Sequence, residues 1–123
     1  MDKRHQRRIK LIKSLFAYGF DLPDEALVKA GQHQDPSLMP ILRHLTEIDQ
    51  IIEKYASRYP LDKIAKIDLA ILRLSIYEIM YEKKNPLKVV IDEAIILAKE
   101  FGTEKSYAFI NGVLGSLLKD VKH

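Results

Sequence analysis

Apolar residues recur every three or four positions along most of the chain, which is the spacing of the buried face of an α-helix. In the first segment this stripe consists of Ile9, Ile12, Leu15 and Phe16. Asp2 stands where a helix N-cap is expected, because its carboxylate can accept a hydrogen bond from a backbone amide of the first turn. The pattern therefore predicts a first helix that begins after Asp2 and runs to about Tyr18.

Proline, glycine and capping residues divide the rest of the chain into further helices. We expect these helices over 23–31, 35–59, 65–84, 86–101 and 103–121, with Asp62 capping a short lead-in to the third of them. No segment alternates between apolar and polar residues for long enough to predict a strand. The predicted fold is therefore all-α, with six or seven helices.

The segment 65–84 differs from the other predicted helices because it is apolar on both sides of the helical wheel. Between Ile67 and Tyr81 its polar interruptions are few: Asp68, Arg73, Ser75 and Glu78. A helix that is hydrophobic all round packs against neighbours on every side. We therefore expect 65–84 to be the central and most buried helix, with Arg73 and Glu78 satisfied inside the bundle.

The composition indicates one folded domain and argues against metal-binding, secreted and membrane proteins. Its 123 residues, 47% of them hydrophobic, are enough for one folded domain spanning 1–123. It contains no cysteine, and its four histidines are scattered, so we expect no metal site and no cofactor. No stretch has the length and apolarity of a signal peptide or membrane span, which predicts a cytoplasmic protein without a membrane partner.

The positive charge is concentrated at the N-terminus. Residues 1–13 carry a net charge of +5, whereas the remainder of the chain is slightly acidic at −2. Such asymmetry indicates a polyanionic partner that meets the N-terminal helix. The alternative is that these side chains form an ordinary solvated helix end.

Three stretches together resemble one protein family. They are the basic helix RRIKLIKSLF at 7–16, the central segment DLAILRLSIYEI at 68–79, and the third stretch, which comprises PLKVVIDEA at 86–94, AKEFGTEKS at 98–106 and FINGVL at 109–114. In their order and spacing, from residue 4 to about 118, they are similar to the NusB family of transcription antitermination factors. The third stretch is the most specific of the three.

This resemblance implies a fold of two small helical bundles that share a central helix. It also implies a function: binding boxA-type single-stranded RNA together with NusE, a ribosomal protein of the small subunit. The assembly would act on the RNA polymerase elongation complex, chiefly on ribosomal RNA operons. The chain would then be no enzyme. Two alternatives stay open: a module of a ribosomal RNA cytosine methyltransferase system, and a purely protein-binding helical scaffold.

The predicted RNA site combines the basic helix with the start of the last helix. Its residues are Lys3, Arg4, Arg7, Arg8, Lys10, Phe16, Lys105 and Phe109. Arginine and lysine neutralise phosphates, helix N-terminal amides attract them, and an aromatic ring near them can stack on an unpaired base. For Phe109 the alternative is a place in the hydrophobic core, and for Lys105 a solvated position.

The predicted protein-binding residues are Asp68, Val89 and Ile96. By resemblance, Asp68 is a polar contact to NusE, and its alternative is an intramolecular partner such as a lysine. Val89 and Ile96 share the outward face of their helix, and exposed apolar residues can mark an interface, although single ones are common on any surface. Gly112, inside the last helix, is expected to permit close approach of another helix.

Overall fold

The computed structural model describes residues 2–19 and 36–121, so the helix predicted over 23–31 lies outside the described residues. The described part contains six α-helices and no strand, which confirms the all-α prediction. The helices are α1 (Lys3–Tyr18), α2 (Leu38–Arg43), α3 (Leu45–Tyr55), α4 (Lys66–Tyr77), α5 (Leu87–Phe101) and α6 (Ser106–Asp120). None of them combines the length and apolarity needed to cross a membrane.

Helix α4 is the centre of the molecule. Residues 68–76 are all buried, including the polar Asp68, Arg73 and Ser75, and α4 contacts each of the other five helices. Helix α1 also contacts α2, whereas α6 contacts both α3 and α5. This arrangement confirms the prediction of two small bundles that share a buried central helix. The helix continues as a π-helical turn, Glu78–Glu82, and ends at Lys83, which has a positive φ of 57°.

Helix α1 runs antiparallel to α4. Its N-terminus is capped as predicted, since the Asp2 carboxylate accepts a hydrogen bond from the Arg4 amide at 2.9 Å. Arg8 near its start lies beside Glu78 at the end of α4, whereas Phe16 near its end shares a cleft with Ile67 at the start of α4. The basic end of α1 is thereby placed next to the C-terminal end of the central helix.

The long helix predicted over 35–59 is wrong in two respects. It is two helices, separated at His44, whose backbone leaves helical geometry (φ −103°, ψ 10°) while its ring stacks on Tyr81 with a centroid distance of 3.9 Å. It also ends at Tyr55 rather than Tyr59, because Ala56 adopts φ −107° and ψ 47°. The apolar period continues through both points, so periodicity cannot reveal either one.

The junction between α5 and α6 depends on Gly102. A glycine directly after a helix usually adopts the left-handed conformation, but Gly102 has φ −91° and ψ −170°. The reason for glycine is space: a Cβ built there would lie 2.5 Å from Ser106 Cβ and 2.7 Å from the Ala98 carbonyl oxygen. Ser106 in turn accepts a hydrogen bond from the Thr103 amide, and Thr103 Oγ1 accepts one from the Lys105 amide. The N-cap of α6 is Lys105, without a side-chain cap bond, so Thr103 orders the turn that precedes the helix and is not its cap.

The predicted capping role of Asp62 is not found. The lead-in is a 3-10 helix, Leu61–Lys63, that begins after Pro60, and Asp62 lies within it without a side-chain cap bond. Proline itself sets the entry, since its fixed φ suits the residue before a helical turn.

Candidate nucleic-acid interface

The outer face of α1 carries an exposed basic surface. It is formed by Lys3, Arg4, Arg7 and Lys10, all of which are exposed. Arg7 lies 3.4 Å from a carboxylate oxygen of Glu82, and none of the other three forms an ion pair with another described residue. These four cations lie on successive turns along one face of the helix, so together they attract phosphates.

Arg8 does not belong to this surface, contrary to the prediction from sequence. Its side chain is 4% exposed and donates two hydrogen bonds to Glu78, from Nε at 2.9 Å and from Nη2 at 2.8 Å. A third contact joins Nη1 to Glu93 at 3.3 Å. The hydrogen bonds to Glu78 raise the pKa of Arg8 above its usual value. Arg8 therefore fastens α1 to α4 and α5 and is inaccessible to a phosphate.

His5 is the second basic side chain of α1 that faces the protein. Its Nδ1 lies 2.9 Å from Glu93 and its Nε2 lies 2.8 Å from Glu100, both on α5. The hydrogen bond with Glu93 raises the pKa of His5. Together with Glu78 and Glu82, these acids neutralise much of the charge that the sequence concentrates in 1–13. What remains directed outward is the exposed basic surface.

The sequence analysis expected Arg73 and Glu78 to be satisfied inside the bundle. Both are, but each pairs with a residue of a different helix and not with the other. Arg73 instead makes a two-pronged pair with Asp49 of α3, with both distances 2.9 Å. Each buried ion pair therefore joins α4 to a different neighbour, and neither is available to a partner.

Phe109 and Lys105 lie at the opposite end of α4 from the exposed basic surface. Phe109 is half-buried against the core, and its ring meets the exposed ring of Tyr59 edge to face, with centroids 5.6 Å apart. Lys105 is exposed and lines the same cleft as both rings. Ten residues separate Asp68 from Glu78, so the two ends lie about 15 Å apart along the helix axis.

Asp68 lines the cleft beside Lys105 and Phe109, and it is 8% exposed. Burial raises the pKa of its carboxyl group, and a hydrogen bond from Ser106 opposes that shift. Its other oxygen, Oδ1, has no hydrogen-bond partner among the described residues. No described lysine pairs with Asp68, the alternative that the sequence offered, and a buried acceptor without a donor costs free energy.

The remaining predicted site residues lie on two further parts of the surface. Phe16 is exposed and lines a cleft with Ile67, Phe101 and the exposed Lys13. Val89 and Ile96 are exposed on α5, two helical turns apart, as the sequence predicted. They lie along the same face of α5 as the acids that hold His5.

Sequence reasoning missed the residues around Phe109 that precede α4. Tyr59, Arg58 and Lys63 line the clefts next to it, but all three fall where the sequence placed a helix end or a lead-in. Gly112 was also misjudged, because a Cβ there would meet nothing within 4 Å. It leaves open space in a cleft rather than room for a helix. A tyrosine beside basic residues just before a proline is the signal that could have identified the site.

Within 2–19 and 36–121 no group of three or more histidine, cysteine or acidic side chains is arranged to hold a metal ion. The described surface around Phe109 offers aromatic rings and cations instead. Its chemistry is therefore that of stacking and charge attraction.

Comparison with known proteins gives a consistent result. The model of the NusB family matches residues 36–119. The transcription antitermination protein NusB of Treponema denticola is 38% identical over 128 residues, covering 93% of this chain and 94% of its own length.

Solved structures agree with this match. A structure of T. maritima NusB superposes with a TM-score of 0.81 at 33% identity, covering 97% of this chain and 92% of the other. A structure of the antitermination factors NusB and NusE in complex with dsRNA superposes with a TM-score of 0.75, covering 97% of this chain and 99% of the other. At 23% identity this second likeness shows the fold alone.

Proposed function

Because this chain belongs to the NusB family, we propose that it is a transcription antitermination factor that binds boxA-type single-stranded RNA together with NusE. Acting with the RNA polymerase elongation complex, it promotes read-through of terminators, chiefly on ribosomal RNA operons. It works in the cytoplasm, as one domain, by binding and not by catalysis. Its relatives are named for antitermination.

One observation carries the RNA-binding part of the proposal: the outward cations of α1 are segregated from the inward ones. Arg8 and His5 are held by acids of α4 and α5, while Lys3, Arg4 and Lys10 are exposed and form no ion pair with another described residue. Unpaired exposed cations are available to release counterions from a phosphate chain, which makes binding strong and dependent on salt. Lys105 extends the charge at the far end of α4.

The partner protein is proposed to meet Asp68, Val89 and Ile96. Asp68 is 8% exposed and lines a cleft, through which a donor from NusE would approach its carboxylate, and its oxygen Oδ1 lacks a donor among the described residues. Val89 and Ile96 supply exposed apolar area on α5. If the two proteins share one RNA, its affinity for this chain rises when NusE is present.

The test is a fluorescence-anisotropy titration of a boxA-type single-stranded RNA at several KCl concentrations, with and without NusE. Replacing both Arg4 and Arg7 with glutamine should weaken binding. The slope of log affinity against log salt should also fall by about 0.7 for each lost phosphate contact. The duplex of the same sequence serves as a competitor that distinguishes single-strand recognition from general attraction to RNA.

A matched control removes two exposed lysines from elsewhere, Lys99→Gln with Lys119→Gln. This pair changes the net charge equally but leaves α1 intact, so it should leave the salt slope almost unchanged. Equal slopes for the two double variants would remove α1 from the interface. Absence of binding to the RNA under any of these conditions would overturn the proposed function itself.

A further inference from the structure

Two clefts lie side by side on the surface near the start of α4, and the same two aromatic rings form a wall of both. One cleft, of about 170 Å³, is lined by Tyr59, Phe109, Asp68 and Lys105. The other, of about 270 Å³, is lined by Tyr59 and Phe109 together with Arg58 and Gly112. Each is smaller than the roughly 300–1,000 Å³ of a drug-sized pocket, so each suits a single ring.

The rings of Tyr59 and Phe109 are perpendicular, at 89°, with 5.6 Å between their centroids. Tyr59 is 51% exposed although it is aromatic, so about half of its surface is uncovered. Phe109 is held by the core on its other side. The pair, Tyr59 with Phe109, is called the aromatic ridge: Phe109 anchors it to the core, and Tyr59 exposes it to solvent.

Cations surround the ridge on both sides. Arg58 lines the larger cleft, whereas Lys63 and Lys105 line the smaller one. All three are exposed, and none forms an ion pair with another described residue. Aromatic faces next to cations that follow a chain are the features by which proteins hold unpaired nucleotides.

We propose that two consecutive unpaired nucleotides of the bound RNA straddle the aromatic ridge, with one base in each cleft. This inference rests on the proposed RNA-binding function and extends it to Tyr59, Arg58 and Lys63. One base stacks on the ridge from the side of Lys105, and the next stacks from the side of Gly112. Arg58 and the two lysines hold the phosphates on either side. Gly112 keeps the larger cleft open, because no side chain fills it.

The experiment uses the full chain and a fluorescein-labelled boxA-type single-stranded RNA, with abasic nucleotides introduced at one position at a time. Tyr59→Ala should weaken binding about tenfold, the effect of one lost stacked base, without changing the salt slope. Arg58→Gln should instead reduce that slope. At two adjacent RNA positions an abasic substitution should weaken RNA binding to the native chain. The same substitutions should weaken RNA binding to Tyr59→Ala much less, because the stacking partner is already absent.

Tyr107→Ala is the matched control, since Tyr107 is a similarly exposed tyrosine on α6 that packs against Lys99 away from both clefts. It should bind RNA normally. A second variant, Gly112→Leu, fills the larger cleft from a position where a Cβ meets nothing, so it should weaken binding while the protein stays folded by thermal denaturation.

The outcomes distinguish this inference from the proposed function. If the native chain binds the RNA and Phe109→Ala weakens it, but Tyr59→Ala and Gly112→Leu bind normally, then the ridge is wrong and the function stands. If the native chain binds none of the RNAs, both fall. Abasic effects at two separated positions would likewise overturn the assignment of consecutive nucleotides.

Discussion

The buried pair of Arg8 and Glu78 offers the sharpest test of how the basic helix is held. Replacing Arg8 with methionine keeps an unbranched apolar stem but removes the guanidinium. Among the described residues Glu78, which is 3% exposed, would then keep only the Asn85 amide, at 3.4 Å. A carboxylate left buried without its countercharge must either be protonated or admit water.

The magnitude follows from this burial. Both side chains of the pair are almost fully removed from solvent, and two short charge-assisted hydrogen bonds are lost. Removing one partner of such a pair typically costs about 3–5 kcal/mol, which is a large part of the roughly 5–15 kcal/mol that stabilises a typical domain. Arg8→Met should therefore lower the free energy of unfolding by about this amount. Replacing both partners, Arg8→Met with Glu78→Leu, should recover much of the loss, since no unpaired charge remains.

The assay is urea denaturation followed by circular dichroism, with Arg7→Met as the control. Arg7 is the neighbouring arginine, but it is exposed, and its contact with Glu82 is long, at 3.4 Å. Its loss should therefore cost less than about 1 kcal/mol. If Arg8→Met is no more destabilising than Arg7→Met, the buried pair is not what joins α1 to α4. A further check is RNA binding by folded Arg8→Met: an unchanged salt slope agrees with its buried position, whereas a reduced slope would return Arg8 to the RNA interface.

Two other predictions concern the same scaffold. Since Glu93 and Glu100 raise the pKa of His5, protonated His5 should stabilise the fold fully below its ordinary pKa of 6.5, and that contribution should disappear as the pH rises through the raised value. Urea titrations of the native chain and His5→Gln across pH should show a difference in unfolding free energy that shrinks with rising pH; a constant difference would contradict this. Gly102→Ala should destabilise the fold by about 1–3 kcal/mol because its Cβ has no space. In thermal denaturation Gly115→Ala, where a Cβ meets nothing, should stabilise it by about 0.5–1 kcal/mol; similar melting temperatures for the two variants would refute the steric argument.

Much of the fold could be predicted from local pattern. The ends of α1, α5 and α6 follow from caps, proline and glycine, and the two-sided apolar wheel of 65–84 identified the central helix. These predictions succeed because helix period and capping depend on residues within a few positions of one another. The break at His44 was missed because it accompanies a contact with Tyr81, which is distant in sequence.

The candidate site was predicted less completely, for a related reason. The sequence placed Lys105 and Phe109 at the start of the last helix, where the structure has them, since helix starts can be recognised locally. Tyr59 was not, because its importance comes from lying against Phe109, 50 positions later in the chain. Residues on a connecting segment carry no period that shows which way they face, so only packing can place them.

Charge shows the same division between sequence and structure. The sequence by itself determined that 1–13 is strongly basic and helical, and hence that this end of the chain is suited to a polyanion. Only the tertiary structure decided which cations face outward, since Arg8 and His5 turn toward Glu78, Glu93 and Glu100 while Lys3, Arg4 and Lys10 do not. The physical reason is that a buried cation needs an anion supplied by another helix, and nothing in the local sequence of α1 records which acids the fold will bring beside it.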